Sequence, residues 1–280
     1  MCNILLYNEI IHFLCFYPCK KSKIVSLLKH PMLKEERQRI ILRDVEVHNR
    51  VLLTDLAEQL GVSVDTVRRD VKELDAVQKL RKVHGGAVSL GFIAPAAANA
   101  NTYAIAEKIV IAKKAMGILK NGSVIFLDGG TTCQELARLL PESLQLTCFT
   151  ISLPVALLLQ NKPGVRVILI GGEVSAEAHI TTGVTAVKAL ADIHVDYGFI
   201  GTGYVDALHG LTEFDWDVVQ VKKAVVEASR KVVLLCISEK LNSQHRYRTC
   251  DISAINSIIT ELDPESSRLN SFRSHQIHIL

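Results

Sequence analysis

Between residues 33 and 47, apolar side chains recur as Leu33, Ile40, Ile41, Val45 and Val47, with Lys34, Glu35, Glu36, Arg37 and Arg39 between them. This pattern predicts one amphipathic surface helix. A second, shorter helix is predicted over 55–60, with Thr54 as its N-cap and Gly61 as its break, and Ser63 then caps a third helix over 64–74. In the third helix Val67, Val71 and Leu74 share one face at i, i+4, i+7 spacing, which leaves Asp65, Thr66, Arg68, Arg69 and Lys72 on the others. Two short helices joined through a glycine have helix-turn-helix spacing. The next stretch reads Lys79-Leu80-Arg81-Lys82-Val83-His84-Gly85-Gly86-Ala87. Basic and apolar positions alternate up to a glycine pair, which predicts a hairpin wing with Leu80 and Val83 packed inward.

Residues 94–101 are small, weakly hydrophobic and broken by Pro95, the composition of an interdomain connection. Beyond them, β-prone apolar runs at 123–127, 146–150, 166–170, 194–200, 231–236 and 257–260 alternate with helical patterns. The expected fold class is α/β: a winged helix-turn-helix domain followed by a larger α/β domain with a mainly parallel sheet. A long helix over 216–230 carries Val218, Val221, Val225 and Ala228 on one stripe, which packs either on the sheet or between subunits. The expected division is an N-terminal extension at 1–31, a winged helix-turn-helix domain at 32–90, a linker at 91–104, the α/β domain at 105–265 and a C-terminal tail at 266–280.

Composition narrows the class. With 280 residues, 49% hydrophobic and 22% charged, the chain has the makings of ordinary globular cores, which excludes disorder, collagen and coiled coil. A formal net charge of +3 is too small for a general nucleic-acid coat of the nucleoid type. The seven cysteines are an odd number without a C-x-x-C pair, against a zinc site or a disulfide framework and in favour of a reducing, cytoplasmic setting. The segment 1–31 is apolar and aromatic and then turns basic at Lys20, Lys21 and Lys23, the reverse of a secretory signal. Asn8, Glu9 and His12 interrupt it short of the roughly 20 apolar residues that span a bilayer, so no membrane association is expected. Met32 opens the clean helical pattern and is the expected natural start, so a chain trimmed to Met32 should stay soluble and active.

Two groups of residues carry candidate chemistry. The expected DNA contacts are Ser63, Asp65, Thr66, Arg68, Arg69 and Lys72 near the third helix, for base edges and backbone, with Arg81, Lys82 and His84 of the wing on phosphates; Lys79 is a further phosphate candidate. Asp70 is expected to pair with a neighbouring cation instead of touching DNA. In the α/β domain, ligands bind beyond the carboxyl ends of the strands, and small or polar residues cluster after several of them. Asp128, Gly129, Gly130, Thr131 and Thr132 form a Gly-rich turn suited to an anion; Ser152, Gly171, Gly172, Gly201 and Lys240 complete the expected rim. As a set they point to a pocket for a polyol phosphate. The turn lacks a Walker lysine, and Gly201-Thr202-Gly203 lacks the complete dinucleotide fingerprint, so no catalytic residue, metal or resident cofactor is expected. The rival reading is an isomerase-like or deaminase-like enzyme using Asp206, His209 or Glu213 as acid or base; the plainer one has Asp206 and Gly210 shaping a turn, with His209 exposed.

Leu56-Ala57, Leu60-Gly61-Val62-Ser63, Thr66-Val67-Arg68-Arg69-Asp70 and His84-Gly85-Gly86-Ala87, in that order, resemble the deoxyribose-operon-repressor (DeoR) family. The resemblance runs from near Met32 almost to the C-terminus. It implies a bacterial transcriptional regulator, usually a repressor, acting on double-stranded operator DNA; a homodimer or tetramer is expected, with two copies on inverted half-sites about one helical turn apart, because dimers match the two-fold symmetry of DNA. It also implies a sensor domain similar in fold to ribose-phosphate isomerases and glucosamine-phosphate deaminases, which binds a phosphorylated sugar as effector and regulates carbohydrate utilisation. The effector positions implied by the resemblance are Asp128, Gly130, Thr131, Thr132, Gly171, Gly172, Gly201 and Lys240. The chain departs from the family at Thr150-Ile151-Ser152, where Thr-Asn is common, and at Thr260-Glu261, where Thr-Asp is usual.

Overall fold

The computed structural model describes residues 32–90, 102–175 and 178–280. The expected extension 1–31 and most of the expected linker lie outside the described residues. Helix α1 (Lys34–His48) turns Ile41, Val45 and Val47 inward, whereas Leu33, expected on the apolar face, precedes the helix and is 70% exposed. Asn49 adopts a left-handed conformation (φ 65°) that turns the chain into β1 (Arg50–Leu52). Helix α2 (Leu53–Leu60) starts earlier than predicted, with Leu52 at the cap position. Thr54 therefore sits inside the first turn, bonded to Asp55, and does not cap the helix. Gly61 (φ 64°) closes α2, and α3 (Val64–Ala76) follows with Ser63 as its cap. Strands β2 (Arg81–Val83) and β3 (Gly86–Val88) form the predicted hairpin, and β3 also pairs with β1, giving the antiparallel order β1-β3-β2. Ile41, Val45, Leu56, Leu60, Val67, Val71, Leu74 and Leu80 make the core of this unit.

The larger unit opens with α4 (Ile105–Met116), β4 (Ser123–Leu127), α5 (Thr131–Leu139), β5 (Leu146–Thr150), α6 (Leu153–Leu159) and β6 (Val165–Leu169). The pair β7 (Glu173–Val174) and β8 (Thr181–Thr182), helix α7 (Gly183–Ala191) and β9 (Tyr197–Ile200) follow. Next come the hairpin β10 (Tyr204–Asp206) and β11 (Gly210–Glu213), α8 (Trp216–Ala228), β12 (Val232–Leu235), β13 (Tyr247–Cys250), β14 (Ser257–Ile259), α9 (Asn270–Arg273) and β15 (His278–Ile279). Seven strands form one parallel sheet in the order β15-β14-β12-β9-β4-β5-β6.

Helices cover both faces of this sheet, which is why its strands read as unbroken apolar runs. Phe126, Ile200, Val232, Leu234 and Ile258 face α7 and α8; Ile125, Leu127, Phe199, Val233, Leu235 and Ile259 face α4, α5 and α6. Helix α8 thus packs on the sheet through Val221, Ala224 and Val225. Residues 266–280, expected as a tail, fold onto the domain instead: Leu269 and Phe272 are fully buried and β15 extends the sheet beside β14. An apolar residue every few positions is too sparse a signal to announce that. The short strands β7, β8, β10, β11 and β13 form small antiparallel sheets that the apolar runs do not reveal. Among the described residues no helix is long and apolar enough to cross a membrane.

Strand order fixes where a ligand can enter. From β4 the chain moves outward through β5 and β6, then returns through β9 to the opposite side of β4. The loops after β4 and β9 therefore leave the sheet in opposite directions and open a crevice between them.

Candidate functional site

Two surfaces stand out. On the first, Ser63 Oγ accepts the Thr66 N–H at 3.1 Å and fixes the start of α3. Ser63, Asp65, Arg68, Arg69 and Lys72 are exposed around that helix and Thr66 is partly so, while Val67, Val71 and Leu74 are buried. Arg68 is tied to Asp65 one turn earlier, so these two expected DNA contacts pair with each other in the free protein. Asp70 is buried, where Arg37 of α1 donates Nε and Nη2 to its two oxygens at 2.5 and 3.1 Å; its cation comes from another helix, not from Arg69. Asp75 accepts the Lys82 backbone N–H at 3.1 Å and ties the wing to α3. Lys79, Arg81, Lys82 and His84 are exposed along that wing.

The second surface is a cavity at the crevice between β4 and β9. Its floor includes Asp128, Gly129, Gly130, Thr131, Thr132, Gly201, Thr202 and Gly203, with Glu213, Lys222 and Lys240 on the walls. Gly130 (φ 88°) takes a backbone conformation that side chains disfavour and turns β4 into α5. The first bond inside α5 runs from the Gln134 N–H to the Gly130 carbonyl, so the amides ahead of it lie at a helix start suited to an anion. Asp128 bridges the crevice, accepting the Gly129 N–H at 2.7 Å and the Gly201 N–H at 3.1 Å.

Behind that bridge lies a buried charge cluster. Lys222 Nζ is 2.5 Å from Glu213 and 3.5 Å from Asp128, and it donates to the Gly201 carbonyl at 2.9 Å. Burial opposes the Lys222 charge, yet Glu213 and Asp128 together push its pKa above the usual lysine value. Glu213 also accepts the Gly203 N–H at 2.9 Å; a Cβ at Gly203 would lie 2.7 Å from the same carboxylate, so the approach requires glycine. Lys240 donates to the Thr202 carbonyl at 2.7 Å, and burial lowers its pKa. The arrangement offers amides and a lysine to an anion and carboxylates to hydroxyl groups.

Residues 37–91 match the DeoR-like helix-turn-helix domain and residues 103–262 match the DeoR C terminal sensor domain. The chain belongs to the DeoR family of transcriptional regulators. The glycerol-3-phosphate regulon repressor of Escherichia coli is 29% identical over 255 residues, covering 89% of this chain and 99% of its own. The HTH-type transcriptional regulator GolR of Listeria innocua is 32% identical over 213 residues, covering 75% and 84%. Among solved structures, ribose 5-phosphate isomerase A of Methanocaldococcus jannaschii aligns over 48% of this chain and 53% of its own, with TM-score 0.36 and 22% identity.

Within this DeoR-family chain the expected effector residues divide. Asp128, Gly129, Gly130, Thr131, Thr132, Gly201 and Lys240 line the cavity; Ser152, Gly171 and Gly172 do not. Ser152 is buried and its hydroxyl caps α6 by accepting the Val155 N–H at 3.3 Å. Gly171 and Gly172 follow β6, two strands away from β4, and a Cβ on Gly172 would strike the Thr182 carbonyl at 2.5 Å, so that glycine serves packing. Of the rival enzyme residues, Asp206 accepts the N–H groups of Leu208 and His209 and pairs with the His209 ring at 2.9 Å, all in an exposed turn; only Glu213 faces the cavity. Among the described residues no cluster could hold a metal ion, and Cys133, Cys148 and Cys236 are buried free thiols whose pKa values burial raises.

Sequence reasoning missed Lys222 and the roof. The signal for Lys222 was a lysine one helical turn from both Val218 and Val225, on the stripe otherwise reserved for apolar residues. The roof is His48, Asn49 and Arg50, contributed by the DNA-binding module. His48 Nδ1 donates to the Gly203 carbonyl at 3.0 Å and its ring stacks on Tyr204 at 4.2 Å; burial pushes its pKa down to about 4. Arg50 stands 4.8 Å over the Phe214 ring and 4.0 Å from Asp215. Nearby, Asp55 of α2 pairs with His245 and Arg246, each at 2.8 Å.

Proposed function

We propose that this chain is a sequence-specific repressor of a carbohydrate-utilisation operon, gated by a phosphorylated sugar or polyol held in the cavity between β4 and β9. The observation that carries the reading is the composition of that cavity. The first turn of α5 and Lys240 suit a phosphate, while Asp128 and Glu213 can accept hydrogen bonds from hydroxyl groups. The polyol-phosphate class is supported by the similar E. coli protein, whose name is that of a glycerol-3-phosphate regulon repressor. On the DNA side, α3 enters the major groove and the wing lies along phosphates. Two or four copies act on inverted half-sites, as the symmetry of DNA favours. The two functions divide across residues 91–104.

We read the chain as a regulator without catalysis. Asp206 and His209 satisfy each other in an exposed turn, and Glu213 is engaged by Lys222 and the Gly203 amide. The test is binding to DNA from the gene's own neighbourhood at one stated salt concentration, with and without a panel of triose, pentose and hexose phosphates and glycerol phosphate. Specific binding that shifts about 5- to 150-fold with one phosphorylated ligand is the expected outcome. Consumption of a sugar phosphate with no specific DNA binding would establish the enzyme reading instead.

A further inference from the structure

The cavity is not confined to the sensor domain. Its roof is three consecutive residues from the junction of α1 and β1 in the DNA-binding module, far from the rest of the lining in sequence. The left-handed turn at Asn49 lets His48 and Arg50 lie on the same cavity. His48 anchors this junction on the Gly203 carbonyl and the Tyr204 ring, and Arg50 reaches the segment ahead of α8 through Phe214 and Asp215.

The cations lining the cavity differ in what they offer an anion. Lys222 is neutralised by two carboxylates at 2.5 and 3.5 Å, so it has little charge to spare. Lys240 gives one N–H to the Thr202 carbonyl and, as a point charge, keeps two more for an anion beside the α5 amides. Arg50 counts the Phe214 ring and Asp215 among its contacts, and 18% of its side-chain surface is exposed at the cavity's edge. Among the described residues it is the single guanidinium in the lining, and a guanidinium presents the planar fork that fits a phosphate with two parallel bonds.

We infer that the effector site is shared by both domains, with the Arg50 fork reading the anionic group of the effector and passing its presence to the wing. This rests on the reading of the cavity as the effector site. The relay is short: Arg50 is the first residue of β1, which pairs with β3 residue by residue, Arg50 with Val88, Val51 with Ala87 and Leu52 with Gly86. The β3 strand in turn pairs with β2, which carries Arg81 and Lys82 toward DNA. An anion that competes with Asp215 for Arg50 therefore acts on the strand that seats the wing. No long chain of intermediates is needed, because one residue touches the ligand and belongs to the DNA-binding sheet.

The full-length wild type, Arg50→Gln, Arg50→Lys and Asp215→Asn are titrated calorimetrically with the same phosphate panel and with inorganic phosphate. The fluorescence of Trp216, the sole tryptophan and the neighbour of Asp215, serves as a second readout. Arg50→Gln is expected to weaken the best phosphorylated ligand about tenfold or more. Arg50→Lys, which keeps the charge and most of the stem, is expected to lose about threefold or more and covers the case in which the glutamine variant does not fold. Asp215→Asn removes one carboxylate that faces the Arg50 guanidinium and keeps the guanidinium itself, so it should bind as tightly as wild type or more tightly. Wild-type affinity in either arginine variant overturns the inference and leaves the proposed function standing. An equal loss in Asp215→Asn also overturns it, since docking alone would then account for the effect. A wild-type chain that binds no member of the panel removes the proposed function, and the inference with it.

Discussion

At the scale of single residues, a buried acid of the DNA-binding module is met by a cation from another helix. The Arg37–Asp70 pair joins α1 to α3 with side-chain exposures of only 12% and 3%. Removing one partner of such a pair leaves the other buried and uncompensated, whereas replacing both by apolar groups removes the desolvation cost as well. Asp70→Ala is therefore expected to destabilise the DNA-binding module by roughly 3–5 kcal/mol in denaturant unfolding, and Arg37→Met with Asp70→Leu to recover most of that loss. A single variant as stable as wild type would refute the structural role. Asp70 was legible in sequence as a non-contacting acid, because an acid in the middle of a basic helix needs a cation. Its partner was not legible, since the two residues meet only when α1 crosses α3.

At the scale of elements, α3 and α5 are the two helices whose N-terminal ends are proposed to do the recognising. Their starts were readable from Ser63 and from the Gly129-Gly130 turn, because caps and positive-φ glycines are local in sequence. Thr54 misled for the same reason: a good capping residue is not a cap when the helix begins before it. Arg68→Ala with Arg69→Ala should weaken operator binding substantially and lower its salt dependence by up to about two phosphate contacts, with the thermal unfolding of the sensor domain unchanged. Unchanged operator affinity would remove α3 from the interface. Thr131→Asp sets a negative charge in the first turn of α5, where an incoming phosphate would be repelled, so the effector response should disappear while operator binding persists. Induction surviving that change would place the effector elsewhere.

At the scale of the whole molecule, the junction between the units is expected to respond to pH. His48 is held neutral with a pKa of about 4, by burial first, with Lys240 and His245 adding to the effect and the Gly203 carbonyl and Glu213 opposing it. When the domains separate, the ring returns to its ordinary value near 6.5. The separated form then binds more protons between about pH 6.5 and pH 4, so docking is fully favoured above that window and weakens as pH falls through it, by about 3 kcal/mol in total. Small-angle scattering on the full chain should show the radius of gyration rising as pH drops from about 7 toward about 4.5, and His48→Gln should flatten that dependence. A radius independent of pH in wild type would refute that response.

Local pattern was enough for the α/β class, the helix-turn-helix, the wing, the main parallel strands and the Gly-rich turn at residues 128–132, because all of these rest on periodicity, capping and turn chemistry. It could not rank the loops beyond the strands, since alternation identifies a strand without saying which strand is its neighbour. The sheet order put the crevice between β4 and β9, kept Asp128, Gly129 and Gly130 in it, and left Gly171 and Gly172 outside. Packing likewise brought Lys222 to Glu213 and Asp128, and set His48 and Arg50 over the cavity from the other domain. The physical reason is the same in each case: these contacts join residues distant in the chain, and they depend on the meeting of elements whose arrangement local propensity leaves open.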